Sequence, residues 1–183
     1  MRATALILAM LAGPALAQRA PDGPRPSQQE RLWLQNCVQA ATAQPPRAAF
    51  GRCGWRLVNA CLGHTSESLL DARVPQVPGR AAEPRLCALV ETALWQELLE
   101  RWNAEAIAYA RPSAAEPQRR AHRAFLAFRD ASCAVEAAVA RGALGEANAA
   151  TCRMETTALR ALEVKRMRDE LFADLAALPG AAP

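Results

Sequence analysis

The sequence predicts an all-α fold, a small bundle of about five helices arranged as hairpins and cross-linked by disulfides. Alanine is the commonest of the 183 residues, Ile occurs only at Ile7 and Ile107, and Val and Thr are sparse. Helices favour Ala, Leu, Glu, Gln and Arg, whereas strands favour β-branched and aromatic residues. Apolar positions also recur at helical spacing between Pro and Gly breaks. These observations exclude an all-β domain and an α/β domain with a large sheet.

The first 17 residues have the pattern of a secretory signal peptide. Arg2 supplies the positive start, a short apolar run follows, and Ala15-Leu16-Ala17 forms a cleavage site. A membrane anchor would need about 20 apolar residues, and this run is shorter. We therefore expect cleavage, no membrane span afterwards and a periplasmic protein, with secretion as the alternative. Residues 18–26, rich in Pro and Gly, predict a flexible arm.

Residues 27–63 predict an N-terminal helical hairpin. Ser27 and Glu30 have the spacing of a capping box, so the first helix starts there and runs to about Ala43. A Gln-Pro-Pro break follows. The second helix is predicted over residues 46–62, since proline is tolerated in the first turn and a glycine comes directly after Leu62.

Residues 64–82 contain two prolines and a glycine near their end and predict an irregular loop. The helical domain that we expect next spans residues 83–178. Its first helix, the third of the chain, begins at Pro84 and reaches about Tyr109. The predicted buried stripe of this helix is Leu86, Val90, Leu94, Leu98 and Trp102.

A long helical hairpin is predicted to complete the domain. Ser113 and Glu116 fit a second capping box, which starts a fourth helix ending near Arg141. The fifth helix is expected from about Gly145 to Leu178, followed by a tail over residues 179–183. The predicted buried side of the fifth helix is Leu159, Leu162, Leu171 and Leu175.

The six cysteines allow many pairings, and helix geometry favours one. In an antiparallel hairpin, residues equidistant from the turn lie level. Cys37 and Cys53 are nearly symmetric about the Gln-Pro-Pro break, and Cys133 and Cys152 about Gly142. The two remaining cysteines flank the loop. The hypothesis is therefore nearest-neighbour pairing: Cys37–Cys53, Cys61–Cys87 and Cys133–Cys152.

No motif in the sequence indicates catalysis, a cofactor or a metal. There is no Cys-x-x-Cys, no Gly-x-Ser-x-Gly and no phosphate-binding glycine loop, and the only histidines are His64 and His122. His122 is interpreted as a partly exposed helical residue. The formal net charge of +4 is modest, and Arg119, Arg120 and Arg123 are interpreted as a solvated face. We therefore expect neither an enzyme nor a nucleic-acid-binding protein.

One segment resembles a known family. Residues 122–133, His-Arg-Ala-Phe-Leu-Ala-Phe-Arg-Asp-Ala-Ser-Cys, are similar to the Q-R-A-W-x-x-[FY]-R-D-x-E-C signature of the lysozyme inhibitor LprI-like N-terminal domain family. Cys152 with Thr157 and Arg160 is similar to the family's C-x-x-x-x-T-x-x-R segment, and Cys87 to its first cysteine. The resemblance covers residues 86–162, roughly the second half of the mature chain.

The resemblance implies a secreted, disulfide-linked helical domain that inhibits lysozyme by steric blockage, with lysozyme or another cell-wall hydrolase as partner. The alternative is an envelope accessory protein that binds another protein or an anionic glycan. The matched motif residues are predicted to be structural: Phe125, Phe128, Arg129, Asp130, Thr157 and Arg160. Phe125 and Phe128 are expected to bury one face of the fourth helix with Leu126. Arg129 is expected to bond carbonyls or Glu155 of the facing helix rather than the adjacent Asp130.

Overall fold

The computed structural model describes residues 25–64, 74–75 and 77–177, and within them it contains six α-helices and no strand. The helices are α1 (Gln28–Ala40), α2 (Pro46–Cys53), α3 (Arg56–Cys61), α4 (Pro84–Tyr109), α5 (Pro112–Ala140) and α6 (Gly142–Ala176). The all-α prediction is confirmed. The predicted signal peptide, residues 18–24 of the arm, residues 65–73 and 76 of the loop and the tail lie outside the described residues.

The start of α1 is a capping box, as predicted. Glu30 N donates to Ser27 Oγ (3.2 Å), and Ser27 N donates to Glu30 Oε2 (2.7 Å). The guanidinium of Arg80 also donates to both carboxylate oxygens of Glu30, with Nη2 3.0 Å from Oε2. Burial alone would raise the pKa of Glu30, but the hydrogen bonds from Arg80 and Ser27 outweigh it and lower that pKa.

Replacing Glu30 with Gln is expected to lower the free energy of unfolding by about 1–2 kcal/mol near neutral pH. Because the folded-state pKa lies below its ordinary value of 4.5, the stabilisation is present above that pH and is lost as the pH falls through the folded pKa. Urea unfolding of both proteins at neutral and at acidic pH measures this. The difference between them should shrink in acid, and a constant difference would contradict the assignment. Glu97→Gln, which weakens an exposed pair with Arg31, is the control.

The second helix is not continuous as predicted: it is divided into α2 and α3 at Gly54 and Trp55. A Cβ on Gly54 would lie 2.3 Å from Cε2 of Phe50, so only glycine permits this close approach. Trp55 adopts a left-handed backbone conformation (φ 66°, ψ −7°). The chain therefore turns between Cys53 and Arg56, and α3 starts in a new direction.

Glu91 of α4 explains where the new helix points. Its side chain is fully buried and accepts hydrogen bonds from Trp55 N (2.8 Å), Val58 N (2.9 Å) and Trp95 Nε1 (3.1 Å). Trp55 and Val58 lie at the start of α3, where backbone N–H groups lack partners within the helix. Glu91 thus caps α3 from another helix. Burial raises the pKa of its carboxyl, and the hydrogen bonds from α3 and Trp95 oppose that rise.

The core lies between α4 and α6, and α1, α2 and α3 close it from the other side. Along α4, four members of the predicted stripe are buried and Leu86 is half-buried. On α6, Leu162 is buried and Leu159 and Leu171 are half-buried, but Leu175 is exposed, so the prediction is wrong there. The buried side of α6 instead combines one large residue, Met154, with a row of small ones: Ala149, Ala150, Thr157, Ala158 and Ala161. Small side chains let the two helices approach closely along their length.

Three disulfides link the helices in the predicted nearest-neighbour pairing. The Cα–Cα distances are 5.9 Å for Cys37–Cys53, 5.7 Å for Cys61–Cys87 and 5.5 Å for Cys133–Cys152. The first joins α1 to the end of α2, the second α3 to α4, and the third α5 to α6. The N-terminal hairpin is thereby covalently attached to the remaining helices and shares one core with them.

The ends of α5 differ from the prediction. Helix α5 begins at Pro112, and its N-cap residue Arg111 makes no side-chain capping bond, so the predicted capping box at Ser113 is wrong. Pro112 at the first helical position has the φ that a helix needs and starts it earlier. Helix α6 begins at Gly142 rather than Gly145, which leaves a single residue, Arg141, between the two long helices.

Candidate functional site: the α5–α6 hairpin

Helix α5 has an unusually exposed surface. Of its 29 residues, only His122 and Cys133 are buried. A surface helix normally directs polar residues outward. Helix α5 does expose charged residues such as Arg123 and Asp130, but one stripe of its exposed positions is apolar and runs along the helix at three- and four-residue spacing, like a coiled-coil seam. We call this surface the outer face of α5: Ala121, Ala124, Phe128, Ala131, Val135, Ala138 and Val139. An apolar surface of this kind is typical of an interaction site.

The large side chains of the outer face are strongly exposed. Phe128 is 65% exposed, Val135 58% and Val139 76%, and Leu144 at the start of α6 is 64% exposed. The prediction that Phe128 helps to bury one side of the fourth helix is therefore wrong. At about 100° of rotation per residue, it points well over 100° away from the buried Cys133. Phe125 and Leu126 are half-buried, as the packing of α5 on α6 requires.

Arg129 connects the inner side of α5 to two other helices. Its Nη1 donates to Thr157 Oγ1 of α6 (3.1 Å) and to Gln96 Oε1 of α4. Its Nε and Nη2 contact Asp130 Oδ1 at 2.9 and 2.8 Å, contrary to the expectation that these neighbours do not pair. The expected partner Glu155 instead accepts a hydrogen bond from the indole of Trp55 (3.0 Å). Different nitrogens of one guanidinium make these contacts, so Arg129 pairs with Asp130 and bonds the two other helices at the same time.

The other motif residues also lie at helix contacts. Thr157 is fully buried, and the guanidinium carbon of Arg160 lies 5.7 Å from the ring centroid of Phe125. Arg160 also pairs with Glu163 one turn later (3.2 Å). The structure thus brings four of the six motif residues to the inner side of the hairpin, where their contacts fit the predicted structural role. Asp130 is exposed beside Arg129, and Phe128 lies on the outer side.

His122 differs from its prediction, because it is buried rather than partly exposed. The residue is only 8% exposed, and Nε2 lies 3.1 Å from both carboxylate oxygens of Glu100 on α4. One turn earlier, Gln118 donates to Asn103 (2.8 Å). The same turn symmetry that pairs the cysteines relates these residues, since both pairs are nearly equidistant from Arg111. A search for polar partners level with each other across that turn would have found them.

The hairpin ends in a sharp, exposed apex. Arg141 has φ 56° and ψ 158° and is followed by Gly142 with φ 57°. Just below, Gly145 packs on Ala137: a Cβ there would lie 2.5 Å from the carbonyl oxygen of Ala137. The Cys133–Cys152 disulfide holds the same two helices farther along. Close packing and a covalent link therefore hold the apex in one geometry.

A separate cleft lies between α6 and the α1–α2 connection. It has a volume of about 400 Å³, and its walls include Thr42, Pro45, Lys165 and Asp169. The ammonium of Lys165 is already used, because Nζ donates to Asp169 Oδ2 (2.7 Å) and to Thr42 Oγ1. This pairing fixes α6 to the α1–α2 connection and makes the cleft a less suitable ligand site than the hairpin surface.

Comparison with known proteins bears on the part of the chain that contains the hairpin. Residues 78–164 match the family model described as lysozyme inhibitor LprI. The match confirms the resemblance predicted from the Cys87, Arg129-Asp130 and Thr157 motifs. The LprI region covers α4, α5 and α6 as far as Val164, so it includes the outer face of α5, the apex and the Cys133–Cys152 disulfide. No curated protein and no solved structure matches the chain.

Other findings bear on the cellular compartment of the protein and on its ability to span a membrane or to hold a metal. The disulfides and the family match together indicate an extracytoplasmic protein. Over residues 25–64, 74–75 and 77–177, no helix is both long enough and apolar enough to cross a bilayer. In the same ranges, no group of three or more His, Cys, Asp or Glu side chains is arranged to hold a metal ion.

Proposed function

We propose that this protein is a periplasmic inhibitor that binds a lysozyme-type muramidase and blocks its substrate cleft without chemistry of its own. The observation that carries the proposal is the position of the outer face of α5: the exposed apolar surface lies on the hairpin inside the LprI region. Secretion beyond the cell is the alternative location. The predicted signal peptide and the disulfides support both compartments equally.

A steric inhibitor needs a rigid surface with an apolar centre, because ordering a mobile loop would cost binding free energy. The hairpin meets this need. Phe128 offers an aromatic anchor surrounded by alanines, and aromatic anchors dominate the binding energy of many interfaces. The contacts of Arg129 with Thr157 and Gln96 hold the anchor's helix against α4 and α6. The inner side of α5 thus supports the surface that its outer side presents.

Charge argues for one condition of the assay. The formal net charge of +4 includes Arg2 of the predicted signal peptide, and the mature protein keeps a smaller positive charge. This charge slows the encounter with a cationic lysozyme, since like charges repel over long distances. At physiological salt the Debye length is about 8 Å, so this repulsion is largely screened while close apolar contacts persist. Inhibition should therefore be tested at physiological ionic strength.

The test is the rate at which lysozyme clears a suspension of peptidoglycan, followed by turbidity with increasing amounts of the purified mature protein. The clearing rate is expected to fall as the molar ratio of the protein to lysozyme rises, and to level off once all lysozyme is bound. An unchanged rate at micromolar excess of the protein would overturn the proposal. In that case, capture of a periplasmic protein or of a peptidoglycan fragment by the outer face of α5 would favour the accessory-protein alternative.

A substitution on the outer face of α5 should separate binding from folding. Phe128→Asp is expected to weaken inhibition at least about tenfold, because a charge replaces an aromatic anchor. The free energy of unfolding should change by less than about 0.5 kcal/mol, because the side chain is exposed. Leu32→Asp is the matched control, since Leu32 is 51% exposed on α1, outside the LprI region. Equal inhibition by both variants would remove the outer face from the proposal.

A further inference from the structure

The apex of the α5–α6 hairpin places an arginine where the backbone suits glycine. At φ 56° and ψ 158°, Arg141 lies in a region that residues with a Cβ rarely adopt. The next residue is a glycine that has a positive φ as well. Glycine would adopt the backbone conformation of both positions without this strain. Strain kept at an exposed position of this kind is typical of functional sites.

The side chain of Arg141 is available for a partner. It is exposed, and among the described residues no hydrogen bond or ion pair engages its guanidinium. Val139 precedes it and Leu144 follows it, both strongly exposed, so the charge stands between two apolar side chains at the end of the hairpin. An arginine flanked by apolar groups is suited to a pocket that desolvates it.

The backbone that carries Arg141 is also held rigidly. Gly145 lies directly against Ala137, and the Cys133–Cys152 disulfide links the same helices. The apex therefore has its bound shape before it meets a partner, which lowers the conformational entropy lost when it enters a cleft of that partner. Because the guanidinium of Arg141 lies at the tip of this narrow apex, the apex is complementary to a cleft that has negatively charged groups at its base.

We propose that Arg141 enters the catalytic cleft of the muramidase and donates hydrogen bonds to its paired catalytic carboxylates. This inference rests on the proposed function. Retaining glycosidases place two carboxyl groups about 5–5.5 Å apart, and a planar guanidinium has donors on both edges that reach two such groups at once. Val139 and Leu144 then contact the walls of the cleft, and Phe128 and Val135 contact the surface beside it.

The experiment compares inhibition constants and thermal stability for variants of the full mature protein. Arg141→Ala is expected to raise the inhibition constant at least about 30-fold, and Arg141→Lys less, since lysine keeps the charge but lacks the planar fork. Arg141→Gly should weaken inhibition as much as Arg141→Ala while raising the melting temperature, because glycine accepts this backbone conformation. Arg47→Ala, which removes an exposed arginine of α2, controls for net charge.

Two further measurements locate the contact. A chito-oligosaccharide that occupies the cleft should compete with the protein. In a calorimetric binding assay, Arg141→Ala should weaken binding less for an inactive lysozyme whose catalytic carboxylates are changed to amides than for the native enzyme. Equal inhibition by wild type and Arg141→Ala would overturn the inference and leave the proposed function intact. Inhibition without saccharide competition would overturn both the inference and the blocking of the cleft. Absence of inhibition by the wild type would overturn both.

Discussion

Replacing Glu91 with Ala is expected to lower the free energy of unfolding by about 3–5 kcal/mol. The change leaves buried N–H donors of Trp55, Val58 and Trp95 without their acceptor and removes the cap of α3. Unsatisfied buried donors are among the most costly defects that one substitution creates. Urea unfolding followed by circular dichroism, with the disulfides intact, measures the loss. Glu97→Ala removes an exposed carboxylate of the same helix and should cost less than about 1 kcal/mol. Equal effects of the two substitutions would contradict the role of Glu91.

Glu91 should also make the stability of the protein depend on pH, and the direction of its pKa shift fixes the sign of that dependence. The folded-state pKa of Glu91 lies above its ordinary value of 4.5 because the carboxyl is buried. The folded protein therefore binds more protons than the unfolded chain between the two values, and its stability falls as the pH rises through that interval. The Glu91→Gln variant does not titrate there. Its stability relative to wild type should thus improve as the pH rises above 4.5, and a relative stability that worsens over the interval would contradict the direction of the shift.

Removing the Cys133–Cys152 disulfide by replacing both cysteines with Ala is expected to cost about 3 kcal/mol of stability. The bond closes a segment with a sequence separation of 19, so its loss enlarges the conformational freedom of the unfolded chain. The effect should be concentrated in the α5–α6 hairpin, since α5 has only two buried residues and depends on this link for its position. Amide hydrogen exchange should therefore speed up more in α5 than in α4. Uniform acceleration across all helices would show that the disulfide stabilises the whole protein rather than the hairpin.

The helices, their order and the cysteine pairing could be predicted because they depend on local signals. Pro and Gly mark most of the breaks, and antiparallel helices place residues level with each other across a turn. The break between α2 and α3 could not be predicted this way. It depends on the ring of Phe50 lying against Gly54 and on a buried carboxylate from α4, which comes much later in the chain. A glycine inside a helical pattern is ordinarily tolerated, so nothing local distinguishes Gly54.

The sequence showed the motif residues of the hairpin, but it did not show that the outer face of α5 would be exposed. The motif around Arg129 lies on the hairpin that carries the outer face of α5, but the partners of Arg129 and the direction of Phe128 depend on how α5 packs. Apolar residues at helical spacing ordinarily indicate a buried side. Here α4 and α6 supply most of the core, so the apolar seam of α5 is left outside. The backbone conformation of Arg141 has no sequence signal apart from the glycine beside it.

The cap that Glu91 places on α3 also affects how the protein can be divided. The acceptor lies inside the LprI region, but the donors of α3 lie before it, and Cys87 is likewise bonded to Cys61 outside it. A fragment that starts at residue 78 would contain Glu91 without the N–H donors of α3, and Cys87 without its disulfide partner. The segment that matches the family is therefore smaller than the cooperative folding unit. Expression trials, crystallisation and domain grafting should retain the chain from Ser27 onward, where α1 begins.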